Sequence, residues 1–235
     1  MDDLAFALAL ADRADALTIA RFRAADLQVE TKPDLTPVSD ADRMVERALR
    51  EHIAAERPGE GVLGEEEGDD GGAVRWILDP IDGTRNFARG IPVWATLIAL
   101  ERDGVRTCGV VSAPGLGRRW WAERGAGAWR DDGEQLRVSP VALLRDATVS
   151  CSLAKDYAVL EPLVWHTRGF GDFWQHVLVA EGALDACVDA RISLWDHAAL
   201  EPILAEAGGR SGEVDGQFVS SNGLVHDEML AALGG

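Results

Sequence analysis

Cysteine and basic side chains are both scarce in this 235-residue chain, and each shortage argues against a class of protein. The three cysteines, Cys108, Cys151 and Cys187, are odd in number and widely spaced, which argues against a disulfide framework and a cysteine-based zinc site. Lys and Arg number 23 against 40 Asp and Glu, for a formal net charge of -17. Because nucleic acids and anionic membranes attract basic surfaces, we expect no nucleic-acid partner and no membrane partner.

The chain also lacks an apolar run of the length needed to cross a membrane. Its first residues are rich in Leu and Ala, but Asp2, Asp3, Asp12, Arg13 and Asp15 interrupt them. A signal peptide would have a basic start and a small-residue cleavage site, and neither is present. The spacing therefore predicts an amphipathic helix, and we expect a cytoplasmic protein.

Strand and helix patterns divide the chain into two lobes. Two helical patterns followed by hairpin strands, one pair joined at Asp103-Gly104, predict an α+β lobe over residues 1–138. Beyond it, strand patterns alternate with helical patterns, which predicts an α/β lobe over residues 139–235. One helix is expected over residues 193–209, closed by Gly208-Gly209. The fold class is α/β, with both lobes in one compact unit.

The stretch WILDPIDGTRNF, residues 76–87, ends a predicted buried strand with two carboxylates, Asp79 and Asp82. Like charges this close disfavour each other's ionised form unless a cation lies between them. Gly83 and Thr84 would open the next helix, where free N–H groups bind anions. Magnesium prefers oxygen ligands and keeps substrate phosphate in its shell. The pattern indicates either a metal site beside a phosphate or an ordinary capped turn that faces water.

Three further acidic residues lie in segments that permit the same two interpretations. Glu65 belongs to GEEEG, which is either part of a site or a solvated acidic loop. Asp42 and Asp196 stand where helices are predicted to begin, so each is either part of a site or an N-cap. Taken singly, none of these acids decides between the alternatives.

Taken together, the blocks DLTPVSDAD, GEE, DPIDGTRNF and WDHAA…EAGG resemble the inositol monophosphatase superfamily in order and spacing. The resemblance implies a layered αβαβα sandwich and a Mg²⁺-dependent phosphomonoesterase that acts on a small phosphate ester. It also implies two to three Mg²⁺ ions in each active site, a homodimer, and no covalent phosphoenzyme.

The resemblance further implies the metal ligands and the catalytic groups. Glu65, Asp79 and the carbonyl of Ile81 would hold the first ion, while Asp79, Asp82 and Asp196 would hold the second. Thr84, linked to Asp42, would act with Glu65 to orient the attacking water. The implied substrate contacts are Glu65, Ile81, Asp82, the N–H groups of Gly83 and Thr84, Arg168, Asp189 and Asp196.

Within the superfamily, the runs TKPDLTPVSDADR, RGIPVWATLIAL and RGFGDF resemble the histidinol-phosphatase branch. The substrate of that branch, histidinol phosphate, carries an ammonium and an imidazole, so carboxylates are expected to face its organic end. Asp189 and Asp172 are the candidates, with Trp94 expected to form an apolar or cation–π wall. The alternative substrates are inositol 1-phosphate and other sugar phosphates. An alternative of another class is a regulatory relative that binds RNA or protein, against which the full carboxylate set and the negative charge argue.

Overall fold

Two large β-sheets and the helices around them build the fold, shown here by a computed structural model that describes residues 1–33, 36–190 and 193–234. In the described residues, the α-helices are α1 (Asp3–Arg21), α2 (Asp40–Glu56), α3 (Thr84–Arg89), α4 (Ala154–Leu160), α5 (Asp172–Ala180), α6 (Leu194–His197), α7 (Leu200–Glu206) and α8 (His226–Leu233). None of these helices has the length and apolar character needed to span a bilayer.

The first of the two large sheets along the chain has seven strands in the spatial order β4-β3-β5-β6-β7-β8-β9. Strands β3 and β5 are parallel, and the other neighbouring pairs are antiparallel. Its strands are β3 (Gly61–Gly64), β4 (Gly68–Asp69), β5 (Val74–Asp82), β6 (Ala95–Arg102), β7 (Val105–Ala113), β8 (Arg118–Glu123) and β9 (Ala128–Arg130). A short hairpin precedes it, made of β1 (Val29–Thr31) and β2 (Pro37–Ser39).

The second sheet has five strands in the order β11-β10-β12-β14-β13. It contains β10 (Thr148–Cys151), β11 (His166–Arg168), β12 (Ala186–Ala190), β13 (Arg210–Val214) and β14 (Gln217–Ser221). Strand β10 is parallel to both β11 and β12, whereas β14 is antiparallel to β12 and β13. The division into lobes at residues 138 and 139 stays a prediction.

Alternation of side chains on the central strands explains how the layers stack. Successive strand residues point to opposite faces. One face of the first sheet packs against α1 and α2 through Trp76, Leu78, Ile98, Leu100 and Val110. The other face packs against α5 and α7 through Ile77, Leu97, Ala99 and Val111. The second sheet lies beyond these helices, and α4 and α8 cover its far side. This αβαβα order confirms the predicted fold class.

Local signals in the sequence account for the first helix and for the hairpin between β6 and β7. Asp2 caps α1, and its Oδ1 accepts the N–H of Ala5 at 2.7 Å. The hairpin predicted at Asp103-Gly104 joins β6 to β7, and both residues have positive φ, 50° and 78°, as a type I′ turn requires. The predicted first helix and the predicted hairpin are confirmed.

Two predictions for the helices and turns need correction. The single helix expected over residues 193–209 is wrong, because the chain forms α6 and α7 with a break between them. Pro202 is the third residue of α7, where the N–H has no partner within the helix, so its ring costs no hydrogen bond. The composition of residues 32–42, rich in Pro, Asp, Ser and Thr, predicts a turn, but this segment includes strand β2 and the start of α2, and its residues 34 and 35 lie outside the described residues.

Gly109 provides a test of the packing between the first sheet and α7. A Cβ at this position would lie 2.2 Å from the carbonyl oxygen of Ala199, just after α6. We expect Gly109→Ala to lower the free energy of unfolding by about 1–3 kcal/mol, the usual scale for overpacking. Denaturant unfolding measures the change, with Val105→Ala on the same strand as an exposed control. Equal stability of the two variants would contradict the close contact.

Candidate active site

An irregularity at the end of β5 brings two carboxylates of one strand to the same place. Residues three apart on a regular strand point to opposite faces. Between Asp79 and Asp82, however, three steps on β5 match two steps on β6, which is a β-bulge. Ile81 N donates to Asp79 Oδ1 at 3.0 Å, and the Thr96 hydroxyl donates to the carbonyl of Pro80 at 2.8 Å. The bulge therefore turns both carboxylates toward one cleft.

A third carboxylate reaches the same point from α6. Asp196 is the third residue of this helix, and its side chain accepts the backbone N–H of Ser193, the N-cap residue. This capping box differs from the N-cap role considered for Asp196 itself. One oxygen from each of Asp79, Asp82 and Asp196 lies within 4.8 Å of the others. Three converging carboxylates are hard oxygen donors, so the residues fit Mg²⁺ by the chemistry of their ligand atoms.

The electrostatics of the cluster point to the same conclusion. Burial, followed by the charges of Glu65 and Asp82, raises the pKa of Asp79 well above its ordinary value. Burial, followed by the charges of Asp172 and Asp196, does the same to the pKa of Asp82. Burial also raises the pKa of Asp196 to about 7, with the charge of Glu65 adding to the effect. In the metal-free protein these groups resist ionisation, and a bound cation would remove that penalty.

Glu65 lines the cleft but lies outside the tight cluster of three carboxylates. The Lys32 ammonium contacts Glu65 Oε1 at 2.7 Å and Glu66 Oε1 at 2.5 Å. Burial opposes the charge of Lys32, but the hydrogen bonds to the two glutamates raise its pKa above the ordinary value. The sequence interpretation missed Lys32, although the resemblance already included the run around it.

Thr84 and Asp42 meet as the resemblance implied. Thr84 opens α3, and its Oγ1 lies 3.2 Å from Asp42 Oδ1 and 2.9 Å from the Ile81 carbonyl oxygen. Asp42 is not the N-cap of α2, because Ser39 caps that helix and Asp42, three residues later, accepts the Ser39 N–H. Burial outweighs the hydrogen bonds from Ser39 and raises the pKa of Asp42 to about 6.

The cleft of about 200 Å³ above these groups is lined by Thr36, Pro37, Glu65, Asp79, Ile81, Asp82, Gly83, Thr84, Arg85, Asp172 and Asp196. Arg85 is a cationic member that the sequence interpretation missed, although it lies inside the DPIDGTRNF block. Asp172 starts α5 with a positive φ of 51°, and its Oδ2 accepts a hydrogen bond from Asn86 at 3.2 Å. Burial and the charge of Asp189 raise the pKa of Asp172 to about 6.

Three expected site residues are not among those that line the cleft. Asp189 is outside the lining of the cleft, and its Oδ2 accepts a hydrogen bond from Gln175 at 3.0 Å. Arg168 is exposed on the edge strand β11. Trp94 is fully buried and packs on Phe87, with ring centroids 5.0 Å apart, so it cannot form a wall against the substrate. Its aromatic neighbours instead enclose it beneath α3.

Comparison with known proteins accounts for this arrangement. The sequence profile named for the inositol monophosphatase family matches residues 2–233. The chain belongs to the inositol monophosphatase family. A Mycobacterium tuberculosis protein named histidinol-phosphatase is 52% identical, with 99% of this chain and 98% of that protein covered. A Streptomyces coelicolor protein of the same name is 46% identical, with coverages of 99% and 97%.

The structural comparison agrees over the whole chain. A Thermotoga maritima inositol monophosphatase superposes with a TM-score of 0.92 at 33% identity, covering 99% of this chain and 97% of that one. Members of the inositol monophosphatase family are phosphoric monoester hydrolases that depend on Mg²⁺. The predicted family and fold class are therefore confirmed, whereas the individual site roles stay predictions.

The raised pKa values predict how pH affects the metal-free protein. Between the unfolded pKa of Asp, about 4, and the folded pKa of Asp196, about 7, the folded chain binds more protons than the unfolded chain. Stability without metal should therefore fall as the pH rises through this window. Because Mg²⁺ binds the ionised carboxylates, the rise in melting temperature that it causes should grow from pH 5 to pH 8.

Differential scanning calorimetry with and without Mg²⁺ across this range measures the effect. Asp79→Asn is the control, since it removes one of the repelling charges and one ligand, and its response to Mg²⁺ should be small at every pH. A wild-type response that does not change with pH would contradict the prediction.

Proposed function

We propose that this chain hydrolyses L-histidinol phosphate to L-histidinol and phosphate with the help of Mg²⁺. The observation that carries the chemistry is the convergence of Asp79, Asp82 and Asp196 within 4.8 Å beside the start of α3. Support for the substrate comes from the relatives named histidinol-phosphatase, which match this chain over nearly its full length. The assembly as a homodimer and the cytoplasmic location stay predictions.

Two ions, with a third bound more loosely, are the proposed complement of the site. Glu65, Asp79 and the Ile81 carbonyl would hold the first ion, and Asp79, Asp82 and Asp196 would hold the second. When bound, Mg²⁺ supplies Lewis-acid stabilisation of the phosphoryl group and lowers the pKa of water at the site. Shared use of Asp79 is supported by its burial and by the charges of Glu65, Asp82 and Asp196, which all act on it.

The chain's own groups would orient the nucleophilic water. The Thr84 hydroxyl has two acceptors within reach, Asp42 Oδ1 and the carbonyl of Ile81, so its proton points into the protein. A lone pair of Thr84 Oγ1 then remains to accept a proton from water. Asp42 has a pKa of about 6 and can take up a proton through this hydrogen bond near neutral pH. Glu65 on the facing loop would hold the other side of the water.

Different groups of the chain are proposed to bind the phosphate and the organic part of the substrate. The first N–H groups of α3, at Gly83 and Thr84, have no partner within the helix and are proposed to bind phosphoryl oxygens, with Arg85 beside them. Asp172 lines the cleft close to the start of α3, where its Oδ2 accepts a hydrogen bond from Asn86, and the charge of Asp189 acts on it. The two carboxylates are proposed to favour the ammonium group of the substrate. Arg168 is proposed as a further substrate contact.

Thr84→Ala tests the proposed orientation of water. Loss of a positioned proton-transfer partner should lower kcat by about 10²- to 10⁴-fold, with a smaller change in KM. Steady-state phosphate release measures both constants. Thr84→Ser keeps the hydroxyl and should retain most of kcat. If the Ala and Ser variants turn over equally fast, Thr84 only starts the helix.

A substrate panel tests the proposed specificity. We expect the wild-type chain to prefer histidinol phosphate over inositol 1-phosphate, fructose 1,6-bisphosphate and adenosine 3′,5′-bisphosphate. Loss of a charge-assisted hydrogen bond should make Asp189→Asn about 10- to 150-fold worse in kcat/KM for histidinol phosphate. Glycerol phosphate, which has no ammonium, is the control and should be affected much less.

Equal losses on histidinol phosphate and glycerol phosphate would show that Asp189 does not recognise the ammonium. A wild-type preference for inositol 1-phosphate would replace histidinol phosphate as the substrate while leaving the phosphatase chemistry intact.

A further inference from the structure

Helix α2 presents a row of polar side chains to the site, and the mechanism above uses only the first of them. Asp42, Glu46 and Arg50 are four residues apart, so they lie on one face of the helix. Asp42 contacts Thr84. The other two face the loop that carries Glu65, between β3 and β4.

Glu46 is fully buried and holds the backbone of that loop. Its Oε2 accepts the N–H of Glu66 at 2.7 Å, and its Oε1 accepts the N–H of Glu67 at 2.9 Å. Arg50 Nε donates to Oε1 at 2.9 Å. A buried carboxylate is costly unless such bonds satisfy it, and here two backbone donors and one cation do so. The contact fixes the residues directly after Glu65.

Gly64 permits this close approach. A Cβ at this position would lie 2.0 Å from Glu46 Oε1, and backbone conformation is not the reason for the glycine, because its φ is not positive. The first glycine of the GEEEG run is therefore explained by the space that the Glu46 carboxylate occupies. Any larger residue would push that carboxylate away from the loop.

Arg50 ties the same loop at its other end. Its guanidinium donates to the carbonyl of Gly68, to Asp70 Oδ2 at 3.0 Å and to the carbonyl of Val62 at 3.4 Å. These groups lie on both sides of the loop, in β3, in β4 and just after β4. Glu46 and Arg50 together thus connect the loop to α2 at several backbone positions.

We propose that Glu46 is a positioning residue that sets the affinity of the site for Mg²⁺. With Arg50, it holds the backbone of residues 65–67 so that Glu65 faces Asp79 and Asp196. The inference rests on the proposed metal site. A ligand held in place before binding loses less conformational freedom when the ion binds. The pair Glu46 and Arg50, called the anchor below, therefore strengthens Mg²⁺ binding without contacting the ion.

Calorimetric titration of the chelator-treated protein with Mg²⁺ tests the proposal. In Glu46→Gln, the amide NH₂ cannot accept a backbone N–H, so one of the loop bonds is lost and Arg50 loses its anion. We expect Mg²⁺ binding to weaken by about 10- to 100-fold, the usual effect of removing a residue that orients a ligand. The Mg²⁺ concentration for half-maximal activity should rise in parallel, while kcat at saturating Mg²⁺ falls less.

Glu101→Gln is the matched control. Glu101 is also a nearly buried carboxylate paired with arginine, since Arg75 Nε donates to it at 2.7 Å, but it lies at the far end of β6. Its loss should destabilise the fold and leave the Mg²⁺ dissociation constant within about twofold. Gly64→Ala and Arg50→Lys disturb the same anchor by different means and should weaken Mg²⁺ binding even if Glu46→Gln fails to fold.

Unchanged Mg²⁺ affinity in the folded anchor variants overturns the positioning role, and so does an equal loss of affinity in Glu101→Gln. In both cases a wild-type chain that binds Mg²⁺ leaves the proposed function standing. A wild-type chain that binds no Mg²⁺ overturns the proposed function, and this inference with it.

Discussion

Mutual repulsion among Asp79, Asp82 and Asp196 is the constraint on which the site depends. Three carboxylates this close in a largely buried position would protonate or spread apart if nothing held them. Each is held by the backbone: Ile81 N–H bonds to Asp79, Phe173 N–H to Asp82 and Ser193 N–H to Asp196. Holding these oxygen ligands together for a cation therefore lowers the stability of the metal-free fold.

The elements that supply these bonds come from both sheets and the helices between them. The bond from Phe173 joins the start of α5 to the end of β5, and the Asn86–Asp172 contact reinforces the same junction. Capping boxes at α2 and α6 place Asp42 and Asp196 in equivalent positions, each three residues after a serine. Glu65 lies on a loop and is not held by a capping box. In the proposal above, Glu46 and Arg50 of α2 hold that loop instead.

Charges of both signs meet at the start of α3. Arg85 lines the cleft there, and Asp172 accepts a hydrogen bond from Asn86 of the same helix. The proposed substrate, which carries a phosphate and an ammonium, has a group for each sign of charge. Trp94 contributes from beneath the site, through its packing on Phe87 and Phe22, and not by contact with the substrate.

Local signals in the sequence were sufficient for α1, α2, the β6–β7 hairpin and the acidic blocks, because caps, turn residues and periodicity depend on near neighbours. They could not separate a metal site from capped turns at Asp42, Asp79 or Asp196; only the combined resemblance favoured the site. The bulge that turns Asp79 and Asp82 the same way, the Lys32 ion pair, the burial of Trp94 and the break between α6 and α7 were decided by tertiary structure. Each depends on packing against residues distant in the chain, and no local pattern encodes such contacts.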